Sequence, residues 1–154
     1  MKEKKLVNLL IQKKLTISTA ESCTGGMLVS KIVNVSNASK VLNESFVTYS
    51  NESKTKYLGV NPSTIQKYGV VSEEVAGQMA DGVCKQTGAA VGVGISGIAG
   101  PTGATKNKPV GMVCFGFCVN KKTYTFTKYF HGSRFHNRHS STKFAINKLI
   151  SLIK

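Results

Sequence analysis

The chain has 154 residues, is 41% hydrophobic and carries a formal net charge of +14. Its length suits one domain with its own core over residues 1–154, and no apolar run approaches the length of a membrane span. The positive charge comes from lysines spread along the whole chain, with no dense basic block and no interleaved aromatics, so specific nucleic-acid binding and membrane partners are not expected.

Lys2 to Lys13 sets Leu6, Leu9 and Leu10 at helical spacing. Asn8, Gln12, Lys13 and Lys14 break any apolar run, so the segment reads as an amphipathic helix, not a signal peptide, and a cytoplasmic location is expected. Leu15 to Ala20 reads as a short strand and Gly26 to Val33 as a second helix. After a polar turn at Asn34 to Ser39, the β-branched and aromatic residues of Val41 to Ser50 predict a strand. Asn51 to Tyr57 reads as a short helix with Asn51 as its N-cap, and Pro62-Ser63 opens another helical piece that Gly69-Val70-Val71 ends.

Ser72 caps a helix over Glu73 to Gln86, whose two leading carboxylates suit the helix dipole. Ala89 to Ser96, apolar and small, predicts a strand buried on both faces. Gly97-Ile98-Ala99-Gly100-Pro101-Thr102-Gly103 is a glycine-rich loop. Gly111 to Val119 and Thr123 to Phe130 form a hairpin around Asn120-Lys121-Lys122, and a last helix runs from about Asn137 to Ile153. Helices alternating with strands, plus one hairpin, predict an α/β fold: a three-layer α/β/α sandwich with a mixed, mostly parallel sheet.

Cys23, Cys84, Cys114 and Cys118 are scattered without a CxxC pair and read as buried free thiols. His131, His136 and His139 come with no carboxylate or cysteine cluster, so no metal and no cofactor are expected.

Chemistry-bearing side chains gather in three segments. Glu21-Ser22-Cys23-Thr24-Gly25-Gly26 turns a strand into a helix and points backbone N–H groups at one spot, where an anion or an oxyanion fits. Ser22 there is either a nucleophile or a helix cap, and Glu21 accepts a hydrogen bond from a substrate or from the turn itself. Cys23 is a rival nucleophile, weakened by having no histidine in any motif. Ser96 to Gly103 is the second segment; it matches neither GxxxxGK[ST] nor GxGxxG. Phe46 to Lys54 is the third, where Lys54 serves as a general base if burial lowers its pKa and Tyr49 orients it or donates a hydrogen bond. The two arginines of the chain, Arg134 and Arg138, stand one helical turn apart and offer bidentate forks suited to phosphate or carboxylate.

Four stretches occur together in order: Thr19 to Gly26, Phe46 to Lys54, Gly69-Val70-Val71-Ser72, and Ser96-Gly97-Ile98-Ala99-Gly100-Pro101. Together they resemble the CinA C-terminal domain family, the nicotinamide-nucleotide amidases or NMN deamidases, over nearly the whole chain. The resemblance implies hydrolysis of the carboxamide of nicotinamide mononucleotide to nicotinate mononucleotide and ammonia, without a metal. It implies Ser22 as nucleophile, Lys54 as base, Tyr49 as support for the dyad or the oxyanion, and Ser96 as the motif hydroxyl. Arg134 and Arg138 fall where the family carries arginines, giving an expected phosphate clamp, while Ser133 replaces the usual acidic or amide residue. Glu21, Cys23, Thr24, Gly25, Gly26, Asn51, Gly97 and Gly100 complete the expected substrate-binding set.

Many relatives in that family add an N-terminal domain resembling molybdopterin-binding proteins. This chain begins directly with the amidase-like helix, so the stand-alone form is expected, as is a homo-oligomer. The competing reading is a non-catalytic nucleotide-binding module of the competence/damage-inducible type.

Overall fold

Strand β1 (Ile17–Glu21) is second in a five-stranded sheet whose order is β2 (Phe46–Val47), β1, β3 (Val91–Gly97), β4 (Met112–Val119) and β5 (Lys122–Tyr129). The computed structural model describes residues 1–154. Along the chain come α1 (Lys2–Gln12), β1, α2 (Met27–Val33), a 3₁₀ turn at Ala38–Lys40, and β2 (Phe46–Val47). They are followed by α3 (Asn51–Leu58), α4 (Pro62–Tyr68), α5 (Glu73–Thr87), β3 (Val91–Gly97), β4 (Met112–Val119), β5 (Lys122–Tyr129) and α6 (Arg134–Ile153). β1 pairs in parallel with β2 and β3, and β4 runs antiparallel to both β3 and β5. Four strands therefore point one way and β4 alone is reversed. Helices α1, α2 and α6 cover one face and α3, α4 and α5 the other, the α/β/α sandwich the sequence predicts.

The two faces are packed differently, and the strand sequences say why. Side chains alternate across a strand, so Val91, Val93 and Ile95 of β3 join Phe115 and Phe117 of β4 in the large core under α1, α2 and α6. The intervening Gly92 and Gly94, with Gly116 of β4, face α5. A Cβ at Gly94 would stand 2.3 Å from Ala76 O, and one at Gly116 2.2 Å from the same carbonyl. The small residues let the α5 backbone settle directly on the sheet.

Among the boundaries that differ from expectation, three have a clear physical cause. The strand expected over Val41–Ser50 pairs only at Phe46–Val47, beyond an isolated bridge from Leu42 to Ile17. Between them, side chains replace the ladder: Ser18 Oγ donates to Glu44 O and Thr19 N to Ser45 Oγ. The N-cap of α3 is Ser50, not Asn51, because Ser50 and Ser53 form a reciprocal capping box. Helix α6 starts at Arg134, three residues early, since the Ser133 hydroxyl accepts from His136 N and caps it. No helix is long and apolar enough to cross a membrane.

The glycine-lined contact is testable. Gly116→Ala forces a Cβ into the Ala76 carbonyl, and overpacking of this kind costs about 3 kcal/mol. Thermal unfolding should show a marked fall in Tm; an unchanged Tm would mean that α5 moves away freely.

Candidate active site

The residues that follow β1, β2 and β3 meet at the carboxyl end of these parallel strands, where open α/β sheets place their ligands. A cleft of ≈ 590 Å³ opens there, lined by Ser22 and Cys23 after β1, Tyr49, Asn51 and Lys54 after β2, and Ser96 to Ala99 at the end of β3. The loop between β3 and β4, Gly69 to Val71 and Arg134 close its sides.

Lys54 is the central feature. It sits one turn into α3 yet is only 1% exposed. Its Nζ donates to Thr48 O at 2.7 Å and is hydrogen-bonded to Ser22 Oγ at 3.1 Å. Burial penalises the ammonium form, and the lysine's pKa is lowered from 10.5 to about 8. About a tenth of the amine is therefore neutral at pH 7, far more than for an ordinary lysine, next to a hydroxyl.

Glu21 and Ser22 are consecutive, so they leave the strand end toward opposite faces. The Glu21 carboxylate turns to the α2 side. Oε1 accepts from Thr24 Oγ1 at 2.6 Å and Leu28 N at 3.0 Å; Oε2 accepts from Thr19 Oγ1 at 3.1 Å and Val29 N at 3.0 Å. Glu21 spends these four hydrogen bonds on the turn and the start of α2, the second of the two roles expected of it, and neither Glu21 nor Thr24 lines the cleft. Gly25 and Gly26, at φ of +57° and +96°, make the turn and lie outside the cleft lining. The N–H groups of Cys23 and Thr24 donate to no backbone carbonyl.

Burial pushes the Cys23 thiol up to about 12, which leaves almost no thiolate at neutral pH and removes its case as nucleophile. Ser96, 1% exposed, donates to Val70 O at 2.8 Å and so fastens the Gly69–Val71 wall. Gly97 lines the cleft, whereas Gly100 does not; its carbonyl accepts from Arg134 Nη1 at 2.9 Å.

The remaining residues divide unexpectedly. Tyr49 is hydrogen-bonded to neither Ser22 nor Lys54: it is 62% exposed, and its hydroxyl accepts from Arg134 Nη2 at 3.0 Å. The group that orients Lys54 is instead the Thr48 carbonyl, which no side-chain motif could signal. Arg134 lines the cleft, but Arg138, one turn further along α6, does not. Arg138 donates through Nε to Cys23 O at 2.8 Å and through Nη2 to Thr24 O at 3.1 Å. Of the two arginines expected to form a clamp only Arg134 stands in the cleft; Arg138 braces the turn that follows Ser22. Asn137 is a second brace, donating to Ala99 O at 3.0 Å and Gly132 O at 3.1 Å. Lys108, on the loop between β3 and β4, also lines the cleft and was invisible among so many lysines.

The sequence model of the CinA C-terminal domain matches residues 1–153, and the chain belongs to that family. It is 50% identical over 147 residues to a competence-damage inducible protein of Alkaliphilus oremlandii, covering 96% of this chain and 36% of that one. It is 51% identical over 145 residues to a CinA-like protein of Kosmotoga olearia, covering 94% of this chain and 35% of the relative. The chain thus spans about a third of the length of these curated relatives. A CinA superfamily protein of Escherichia coli, solved by crystallography, superposes with a TM-score of 0.95 at 33% identity, covering 98% of this chain and 88% of the other.

The buried lysine has a stability signature of definite sign. A pKa held near 8 in the folded state against an ordinary 10.5 means that the unfolded chain binds more protons between these values. The cost of burying the ammonium is complete below about pH 8 and fades as pH rises toward 10.5; it amounts to about 3 kcal/mol. Relative to Lys54→Met, the wild type should therefore gain about 3 kcal/mol across this window. Urea unfolding of both proteins at a series of pH values measures it, and a flat difference would mean that Lys54 is not desolvated.

Proposed function

We propose that this member of the CinA family hydrolyses the carboxamide of nicotinamide mononucleotide to nicotinate mononucleotide and ammonia. The observation that carries the reading is the buried Lys54 Nζ, shifted to about 8 and 3.1 Å from Ser22 Oγ in an open cleft.

In the neutral form Lys54 accepts the Ser22 hydroxyl proton as Oγ attacks the amide carbon. The amine stays aimed because it donates to Thr48 O throughout. The oxyanion of the tetrahedral intermediate needs a donor, and the Cys23 N–H, directly after the nucleophile and without a backbone acceptor, is the best placed by chain position. Collapse of the intermediate breaks the C–N bond, and the Lys54 ammonium protonates the departing amide nitrogen, releasing ammonia. Water then attacks the Ser22 ester while Lys54 takes its proton. Return of that proton to Ser22 Oγ frees the acid and restores the dyad. No step requires a metal ion.

Two outcomes are expected. Ammonia release from nicotinamide mononucleotide should persist in chelator and fall by at least about 10³-fold in Ser22→Ala and Lys54→Met. Folded wild type that releases no ammonia would refute the amidase reading. In addition, kcat/KM should climb as pH rises to about 8 and then level, because only neutral Lys54 acts as base. A profile flat from pH 6 to 9 would remove Lys54 from that role.

A further inference from the structure

The cleft is lined by three cationic residues, Lys54, Lys108 and Arg134, and by no aspartate or glutamate. Lys54 is committed to the floor. Arg134 has two of its nitrogens bound to Gly100 O and the Tyr49 hydroxyl. Lys108 has the clearest unspent capacity. Its Nζ donates to Tyr68 O at 2.5 Å and Val71 O at 2.6 Å. An ammonium has three N–H donors, so one is left over on a side chain that lines the cleft.

The surroundings hold this group in place without neutralising it. Thr105 N donates to Lys108 O at 2.9 Å and Lys108 N returns to Thr105 O at 3.3 Å, which closes a tight turn around the lysine. A Cβ on Gly69 would stand 2.6 Å from Nζ, so the glycine, at φ +81°, leaves the ammonium its place. The wall it touches is fastened independently, by Ser72 Oγ on Gly69 O and Ser96 Oγ on Val70 O, both at 2.8 Å. A cation held this firmly, with no carboxylate beside it, is arranged to receive an anion brought from outside.

We propose that Lys108 is the specificity-determining residue for the anionic end of the substrate. It holds a phosphate monoester at the cleft mouth with Arg134 and the hydroxyls of Thr102 and Thr105, which line the same stretch. Lys108 takes the share of the clamp that Arg138 cannot, since Arg138 is spent on the Cys23 and Thr24 carbonyls. The proposal rests on the amidase reading for the identity of the substrate, and on cleft geometry alone for the anion site.

The test compares nicotinamide mononucleotide with its riboside on wild type, Lys108→Met and Lys108→Gln. Glutamine keeps an amide NH₂, with its two N–H donors, for the wall carbonyls but no charge. In both variants the ratio of kcat/KM for nucleotide over riboside should fall by about tenfold or more, chiefly through KM for the nucleotide. Equal losses on the two substrates would reduce Lys108 to a fastening of the wall and overturn the proposal, as would no change in either. If wild type releases ammonia from neither compound, the amidase reading fails on its own. The anion site is then judged by calorimetry with inorganic phosphate: binding to wild type weakened about tenfold in both variants supports it, whereas equal or absent binding refutes it.

Discussion

A lysine amine held in the protein interior without a carboxylate is the constraint around which the rest of this structure is arranged. Lys54 is 1% exposed, and its contacts are a carbonyl and a hydroxyl. An acid at hydrogen-bond distance would favour the ammonium and return the lysine to its ordinary pKa. The one buried carboxylate is Glu21, one residue from Ser22. Strand alternation sends it to the other face, where two backbone N–H groups and two hydroxyls satisfy its four hydrogen bonds. The same β1 terminus thus supplies the hydroxyl that Lys54 needs and removes the carboxylate that would spoil it.

Keeping Nζ and Oγ 3.1 Å apart requires loops that do not drift, since each comes from a different part of the chain. Side chains do the fastening, because loop carbonyls have no ladder to join. Arg138 takes Cys23 O and Thr24 O, Asn137 takes Ala99 O, Ser96 takes Val70 O, and Lys108 takes Tyr68 O and Val71 O. Each of these donors satisfies a carbonyl that would otherwise be partly desolvated. The helix that carries Arg134 into the cleft also carries Arg138 and Asn137 beneath it, so α6 is both wall and brace.

Much of this architecture was legible because period and capping are local. The apolar spacing of α1 and α5, the small residues of β3 and a hairpin after β4 all read correctly, although the turn is Asn120-Lys121 alone and Lys122, expected in it, already pairs with Val119. The tie between Ser22 and Lys54 did not come from spacing. These residues are 32 apart, and their meeting depends on β2 pairing beside β1, a non-local event carried by only two residue pairs. β-branched residues over Val41–Ser50 suggested a long strand, but side-chain bonds from β1 took over the pairing at Glu44 and Ser45. The arginines misled for a related reason. Four residues apart means one face of a helix, yet a turn of rise is about 5.4 Å, enough to put one guanidinium in the cleft and the other under it. Thr48 contributes through its carbonyl, which every residue type possesses, and Lys108 is one lysine among many in a chain of charge +14.

That composition also frames how an anionic substrate and a neutral base coexist in one cleft. A bound phosphate close to Lys54 would draw a proton onto it and suppress the form that can act as base. Coulomb coupling weakens with distance and with access of solvent, so the phosphate belongs at the mouth and the amine at the floor. Lys108, on the loop between β3 and β4, and Arg134, at the start of α6, close the sides of the cleft, whereas Lys54 is almost fully buried behind Ser22. On the proposed reading, cations at the mouth do two things at once: they hold the anion, and by neutralising its charge they shield the base from it. A carboxylate anywhere on this lining would undo both, and there is none.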